Sequence, residues 1–227
     1  MPHIHDQDKG FSLVELSIVL VIIGLLVGGV IAGQEIIRNS QLQSVVDDVT
    51  RMKLGYIAFR DKYNCIPGDC PHATQAGFAV NGNGDEIVQG VSEQWEFMQQ
   101  LIQSRLLVED GVNYKETKLG NCDMIVNGSY PIYEFRWNQF NAILLRFFMS
   151  AAPWHGPCIS PLDARYLDTK LDDGIASQGS VRGWVWLGNP FANCLTADSD
   201  TGGTGTPGTA EYVANRTLAC MLHIRIE

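Results

Sequence analysis

The sequence lacks the residue patterns by which common enzyme classes are recognised. It contains no Gly-x-Ser-x-Gly, no His-Glu-x-x-His, no phosphate-binding P-loop and no Gly-x-Gly-x-x-Gly that opens a helix. The usual signatures of hydrolases, zinc peptidases and nucleotide-binding enzymes are therefore missing. We do not expect an enzyme.

Basic residues are also few. Lys and Arg total 16 against 25 Asp and Glu, which gives a formal net charge of −9. Binding to a nucleic-acid backbone needs clustered positive charge, so DNA or RNA is a disfavoured partner. The length of 227 residues suits one globular domain, or one domain with an appendage.

Cysteine is present in an even number but never as Cys-x-x-Cys, which weakens both a zinc ribbon and a thioredoxin-like site. The six cysteines are Cys65, Cys70, Cys122, Cys158, Cys194 and Cys220. In an exported domain they predict disulfides, and six cysteines allow 15 pairings. Spacing favours Cys65–Cys70 and Cys194–Cys220, which leaves Cys122–Cys158. Six buried free thiols are the alternative if the domain is cytosolic.

One long apolar run stands near the start of the chain. From Leu16 to Gly33 the only polar residue is Ser17, and the run contains no proline. With residues 11–14 added, it is long enough to cross a bilayer, which takes about 20 apolar residues. The polar segment before it ends in Gly10, an order of features that differs from an ordinary secretory signal.

Glu15 is the unusual residue of this segment. A carboxylate in a membrane helix costs a few kcal/mol, so it normally faces a partner. If the chain is cut after Gly10, the new α-amino group of Phe11 lies four residues away. Glu15 could neutralise that amine in its own chain or in a neighbour. The alternative is a carboxylate that reaches the lipid headgroups and has no special role.

The string Lys9-Gly10-Phe11-Ser12-Leu13-Val14-Glu15-Leu16, followed by the apolar run, resembles the class III signal of type IV prepilins and type II secretion pseudopilins. The resemblance implies cleavage after Gly10 by a prepilin peptidase and N-methylation of Phe11. It also implies that Glu15 pairs with the Phe11 amine of an adjacent subunit during assembly.

The segment departs from that family pattern in two ways. The leader has Lys9 as its one firmly basic residue, and the apolar run lacks the helix-breaking proline of many filament pilins. In place of a proline, the run has four glycines that could loosen the helix. They also form small-xxx-small pairs, which permit close contact between helices in lipid. These pairs are Gly24 with Gly28 and Gly29 with Gly33.

Past Gly33 the apolar residues recur at three- and four-residue steps. They are Leu42, Val45, Val49, Met52, Tyr56, Phe59 and Tyr63. One helix is therefore predicted from about Phe11 to Tyr63, roughly 80 Å long at 1.5 Å per residue. The predicted organisation is a leader (1–10), a membrane or filament-core half of the helix (11–33), its amphipathic half (34–63) and a globular head (64–227).

The head is predicted to be α+β with a small antiparallel sheet, a pilin-like fold. A second helix is expected to begin with Ser92 as its cap and to bury Trp95, Met98, Leu101, Ile102 and Leu106. The other expected elements are a strand at Tyr133–Trp137, a helix at Asn138–Ala151, a helical turn at Pro161–Asp173, and strands at Val181–Leu187 and Leu222–Ile226. Two stretches, Tyr63–Pro71 and Leu167–Gly174, resemble segments of prepilin-type proteins without a settled function.

Three acidic segments are candidates for calcium. Asn81–Asp85 resembles the opening of an EF-hand, but Glu86 and Ser92 stand where that loop needs glycine and a bidentate glutamate, so an EF-hand is rejected. Asp198 and Asp200 lie where a C-terminal calcium loop occurs in major pseudopilins. The third is the acidic cluster Asp168, Asp172 and Asp173. Solvated turns and surface charge are the alternatives, and no other cofactor is expected.

These features predict a filament subunit, as a minor pilin or a pseudopilin. Its expected partners are other pilins or pseudopilins, the prepilin peptidase and an inner-membrane assembly platform. We expect a single-pass inner-membrane protein with its head in the periplasm before assembly. The alternatives are a membrane-tethered binding or adhesion protein that uses the helix only as an anchor, and a competence pilin in DNA uptake.

Overall fold

The computed structural model describes residues 11–88, 90–107, 115–117, 119, 122–127, 142–148, 155–156, 158–176, 178–184, 194, 212, 214 and 220–226. The chain divides into two compact units, residues 1–41 and 42–227. The first helix, α1 (Leu13–Tyr63), contributes residues to both units.

In the second unit, one face of α1 forms the centre of the core. Six of the seven predicted apolar positions are buried, namely Leu42, Val45, Val49, Met52, Tyr56 and Phe59, and the seventh, Tyr63, is partly buried against the core. The three- and four-residue spacing therefore identified the buried face of this helix correctly. Gly55 on the same helix faces the end of α2, because a Cβ there would be in ordinary contact, at 3.6–3.7 Å, with Leu106 and the side chains of Leu101 and Leu107.

The remaining elements form an α+β head, as the sequence predicts. They are a 3₁₀ helix (Ala73–Ala76), α2 (Gly90–Gln103), β1 (Lys115–Glu116), β2 (Asp123–Asn127), β3 (Ala142–Phe148), β4 (His155–Gly156), α3 (Pro161–Leu171), β5 (Val181–Trp184) and β6 (Met221–Arg225). The sheet is antiparallel in the order β1-β2-β3-β6-β5, and β4 pairs with β3. Ile143 is paired with Val126 on one side and with Ile224 on the other.

The helix predicted at Asn138–Ala151 is wrong, because β3 occupies Ala142–Phe148. This segment has apolar residues at successive positions, so its spacing fits a helix and a buried strand equally. Its partners β2 and β6 lie far away in the sequence, and pairing with both of them decides the outcome. Ile143 is fully buried at the centre of this pairing.

Two details predicted for α2 are also wrong. The helix begins at Gly90, so Ser92 lies inside its first turn and is not the cap. Trp95 is 42% exposed, whereas Phe97 is fully buried and stacks on Tyr56 with 6.3 Å between ring centroids. The turn that contains Gly68 packs directly against the backbone of Phe97. This contact, which the sequence does not reveal, covers the Phe97 side of α2.

The later predictions agree with the structure where residues are described. The predicted helical turn is α3, and the hydroxyl of Ser160 accepts a 3.2 Å hydrogen bond from the Asp163 N–H as its cap. The final strand is β6, in which Leu222 and Ile224 are buried. β5 confirms residues 181–184 of the predicted strand. Its last three residues and the strand at Tyr133–Trp137 lie outside the described residues.

The Pro-Gly-Asp motif after α1 joins three parts of the head. Gly68 has a φ of +83°, and its N–H donates a 2.9 Å hydrogen bond to Oε1 of the buried Gln100 on α2. Asp69 is buried, and its two carboxylate oxygens accept hydrogen bonds of 2.6 and 2.7 Å from the N–H groups of Gly84 and Glu86. The motif therefore holds α2 and the loop 81–86 at the end of α1.

The edge of the sheet at β5 is closed by the loop that precedes it. Oδ2 of Asp172 accepts hydrogen bonds from the N–H groups of Ser180 and Val181, the latter at 3.1 Å. The Gly183 N–H donates to the carbonyl oxygen of Ala176 at 3.0 Å. The outward N–H groups of this edge strand are thus bonded within the chain, which protects it from pairing with another strand.

The disulfides pair the cysteines as the spacing favours. They join Cys65 to Cys70, Cys122 to Cys158, and Cys194 to Cys220. None of the six is free. The two longer bridges secure segments that lie far apart in the sequence, and such cross-links typically stabilise a small domain by a few kcal/mol.

Gly68→Ala is expected to lower the free energy of unfolding of the head by about 3–4 kcal/mol. A Cβ at this position would lie 2.4 Å from the carbonyl oxygen of Glu93, and the positive φ is itself unfavourable for alanine. The control is Gly77→Ala, which has a φ of +91° but no atom within 4 Å of the new Cβ. It should cost only about 1–2 kcal/mol. Urea unfolding measures both, and equal losses would contradict the packing role of Gly68.

Candidate functional site

The candidate site is the segment around the start of α1, where the sequence places processing and assembly. Gly10 lies outside the described residues. Phe11 is 83% exposed, and the helix begins two residues later at Leu13. The N-terminal side of the segment is therefore not covered by described residues of the same chain.

Ser12 and Glu15 form a variant capping box at this helix start, in which the Ser12 hydroxyl bonds the N–H of Val14 instead of that of Glu15. The Ser12 N–H donates a 2.8 Å hydrogen bond to Oε2 of Glu15, and the Val14 N–H donates to the Ser12 hydroxyl at 3.3 Å. The pair satisfies two backbone donors that the first turn of a helix otherwise leaves without partners. Glu15 thus has a role in its own chain that the sequence interpretation missed. The pattern Ser-x-x-Glu before an apolar run was the signal that could have revealed it.

The apolar half of α1 is not covered by any other part of the chain that the structure describes. Within the described residues, α1 is the one helix that is long and apolar enough to cross a membrane, and none of its most apolar 18-residue window is buried. The hydroxyl of Ser17 donates to the Val14 carbonyl at 2.8 Å, so it satisfies a hydrogen bond inside the helix. A single helix of this kind fits a single-pass membrane-anchored protein.

The four glycines of this segment are open on their outer sides. A Cβ added at Gly24, Gly28, Gly29 or Gly33 would have nothing within 4 Å. At about 100° per residue, the pair 24/28 and the pair 29/33 lie on faces roughly 140° apart. The helix thus offers close approach to neighbours on two different sides.

The loop Asn81–Asp85 uses its oxygen atoms for its own turn. Oδ1 of Asn81 accepts from the Thr74 N–H at 2.8 Å, and Oδ1 of Asn83 accepts from the Asp85 N–H at 2.8 Å. Oδ1 of Asp85 accepts from the Ile87 N–H at 3.0 Å. Burial raises the pKa of Asp69 beneath this loop, although the Gly84 and Glu86 N–H groups oppose the shift. The arrangement is that of a hydrogen-bonded turn.

The acidic cluster at the end of α3 likewise binds backbone groups. Asp168 is fully buried and accepts hydrogen bonds from the Tyr212 hydroxyl at 2.9 Å and from the Gly174 N–H at 3.1 Å. Asp173 accepts from the Ile175 N–H at 2.8 Å, and Asp172 closes the edge of β5. One oxygen from each carboxylate lies within 4.8 Å of the others. The hydrogen bonds of the three carboxylates hold the loop between α3 and β5 in place, and this structural role accounts for their closeness.

Asp198 and Asp200, the calcium candidates of the C-terminal loop, lie outside the described residues. A calcium site at these residues stays a prediction from the sequence.

Replacement of Asp168 by Asn should change how stability depends on pH. Burial raises the pKa of Asp168 to about 6, above the ordinary value of 3.8. The favourable contribution of Asp168 to the free energy of unfolding is therefore complete below pH 3.8 and is lost as the pH rises through about 6. The difference in unfolding free energy between the wild type and Asp168→Asn should fall by about 1–3 kcal/mol over this range.

The difference between the two proteins is the quantity to measure, because the wild-type curve contains an opposing contribution. Burial lowers the pKa of His223 to about 4, so the stability that His223 contributes is lost as the pH falls from 6.5 through 4. His223→Gln is the matched control. It should remove only the loss of stability that His223 causes as the pH falls from 6.5 through 4. A constant difference between wild type and Asp168→Asn would contradict the assignment.

Comparison with known proteins gives one match, at the candidate site. No curated protein and no solved structure matches the chain significantly. Residues 6–31 match the family model described as the prokaryotic N-terminal methylation motif. This range includes Gly10, Phe11, Ser12 and Glu15. The chain therefore carries the prepilin-type cleavage and methylation signal of type IV pilins and pseudopilins, which are structural proteins that assemble with other pilin subunits.

Proposed function

We propose that this chain is a structural subunit of a type IV pilus or of a type II secretion-like filament, as a minor pilin or pseudopilin, and that it has no enzymatic activity. The observation that carries the proposal is the apolar half of α1, which overlaps the matched signal and is left uncovered by the described residues of its own chain. Lipid can cover this surface before assembly, and the same helix of other subunits can cover it afterwards.

Processing after Gly10 supplies the second element of the proposed assembly. Cleavage by a prepilin peptidase gives Phe11 a free α-amino group, which is then methylated and stays positively charged. When apolar helices pack around it, an unpaired charge costs several kcal/mol, so a carboxylate partner is needed. Glu15 is the nearest carboxylate to this end of the helix, and we assign it to the Phe11 amine of a neighbouring subunit.

The capping box is compatible with this second role of Glu15. Its Oε2 accepts from the Ser12 N–H in the same chain. An ionised carboxylate has acceptor capacity for further hydrogen bonds, and a bond to an ammonium group is among the stronger ones. Glu15 can therefore cap its own helix and receive a neighbour's amine at the same time. The head is placed in the periplasm before assembly, with a single membrane pass.

The four open glycines support a polymer rather than a closed pair. Two small-residue faces on different sides of one helix allow each subunit to contact two neighbours through non-equivalent surfaces. Contacts of this head-to-tail type extend into filaments when the rotation does not close. A protein that used the helix only as an anchor would need neither face.

Glu15→Gln and Ser12→Ala separate the two roles of the capping box. Glutamine retains an oxygen for the Ser12 N–H but has no charge, so we expect filament assembly to fall at least about tenfold while membrane insertion persists. Ser12→Ala removes the hydroxyl cap at a cost of about 1 kcal/mol and retains the carboxylate, so assembly should stay near the wild-type level. Quantification of sheared filaments and of the membrane fraction tests both variants.

Each other outcome of this pair has a definite meaning. Wild-type assembly by Glu15→Gln would oppose the filament mechanism and favour a membrane-tethered binding protein. Failure of Ser12→Ala with normal assembly of Glu15→Gln would assign the defect to the helix start instead of to the charge.

Mass spectrometry of the mature N-terminus tests the proposed processing. In cells that contain prepilin peptidase, the chain should begin at Phe11 and carry one N-methyl group. Gly10→Leu should leave the leader attached, whereas the control Gly33→Leu, inside the apolar helix, should be processed normally. A mature chain that begins at Met1 or after Ala32 would contradict the assignment.

A further inference from the structure

The three disulfides differ in how far a reagent can approach them. Five of the six cysteines are at most 2% exposed, namely Cys70, Cys122, Cys158, Cys194 and Cys220. Cys65 is partly exposed. Thiol–disulfide exchange begins when a thiolate reaches one sulfur of the bond, so access is a first condition. Cys65–Cys70 is the one bridge of the folded head that offers an accessible cysteine.

A histidine lies beside this bridge. One ring nitrogen of His72 and the sulfur atoms of Cys65 and Cys70 all lie within 4.8 Å of one another. The Nε2 of His72 is 3.2 Å from the carbonyl oxygen of Tyr63, which fixes the ring in place. A protonated imidazole at this position can pass a proton to a departing thiolate, as general acids do. The disulfide thus has one partly exposed cysteine that a thiolate can attack and an imidazole close by that can donate a proton.

We propose that Cys65–Cys70 is a thiol–disulfide exchange site, which a dithiol reductant opens in the folded head while the other two disulfides stay closed. A thiolate of the reductant attacks the sulfur of Cys65, a new S–S bond forms, and the Cys65–Cys70 bond breaks. The sulfur of Cys70 leaves with the electron pair and takes a proton from His72.

The second thiolate of the reductant completes the exchange. It attacks the reductant's own sulfur in the mixed disulfide and releases Cys65 as a thiolate, which is protonated from solvent. The protein has then gained two electrons and two protons, and the dithiol has become a disulfide. The partner is therefore a dithiol compound or a dithiol oxidoreductase protein.

Opening this bridge has a structural consequence, because it closes the turn that contains Gly68 and Asp69. Gly68 is bonded to Gln100 on α2, and Asp69 is bonded to the loop 81–86. Reduction enlarges the conformational freedom of the turn and weakens both attachments. The exchange site is thus a redox-sensitive joint between the end of α1 and the loop 81–86.

Timed alkylation of the full chain in detergent tests the selectivity. The protein is incubated with dithiothreitol, samples are quenched with N-ethylmaleimide, and peptide mass spectrometry measures the modified fraction of each cysteine. We expect Cys65 and Cys70 to be modified at least about tenfold faster than the other four. Simultaneous opening of all three disulfides, or earlier opening of either longer bridge, would overturn the proposal.

His72→Gln tests the contribution of the imidazole. Glutamine keeps an N–H donor for the Tyr63 carbonyl but cannot give up a proton, so the rate at Cys65–Cys70 should fall several-fold. Circular dichroism and urea unfolding should match the wild type. An unchanged rate would remove His72 from the mechanism and leave accessibility as the only cause of selectivity.

Hydrogen exchange tests the joint in the double variant Cys65→Ser with Cys70→Ser. The amides of Gly84 and Glu86 should exchange faster than in the oxidised wild type, because Asp69 holds them less firmly. The amides of Val181 and Gly183, bonded to Asp172 and Ala176, are the internal control and should not change. Equal exchange at Gly84 and Glu86 in the two proteins would show that the bridge does not control this loop.

Discussion

The exposed apolar surface of residues 13–33 is the main physical constraint on this protein. Water cannot remain in contact with a helix of this composition without a large cost in free energy, and no described part of the head covers it. The surface therefore requires lipid or other helices.

In the head, a few buried or tightly packed residues hold the loops in position. Asp69 and Asp168 are buried carboxylates that bind backbone N–H groups of loops, and both satisfy donors that would otherwise be costly to bury. Gly68 allows a turn to lie directly on α2. Gly68 and Asp69 lie in the stretch Tyr63–Pro71, and Asp168 lies in the stretch Leu167–Gly174. They fix loop positions on a small core.

Local patterns in the sequence predicted the features that depend on local spacing. The buried face of α1 follows from a regular period, and the disulfide pairs follow from simple loop lengths. The pattern formed by Ser12 and Glu15 also predicts the start of α1, although the interpretation of the sequence rests only on the charge of Glu15. By contrast, β3 could not be distinguished from a helix, because its apolar residues fit both periods and its partner strands are distant in the sequence.

The structural roles of Gly68 and Asp69 could not be predicted from the sequence, for the same physical reason. Their partners, Gln100, Gly84 and Glu86, are brought close only by the folded chain, and a Pro-Gly-Asp sequence by itself predicts no more than a turn. The exposure of Trp95 is a related case, because burial on α2 depends on where that turn lies. Sequence spacing thus located the elements better than it located the contacts between them.

The closed edge at β5 restricts how copies of this chain can join. Asp172 and Ala176 already bond the outward N–H groups of Val181 and Gly183, so a strand from another molecule cannot add there without displacing them. Growth by strand addition at this edge, which leads to irreversible fibres, is thereby blocked.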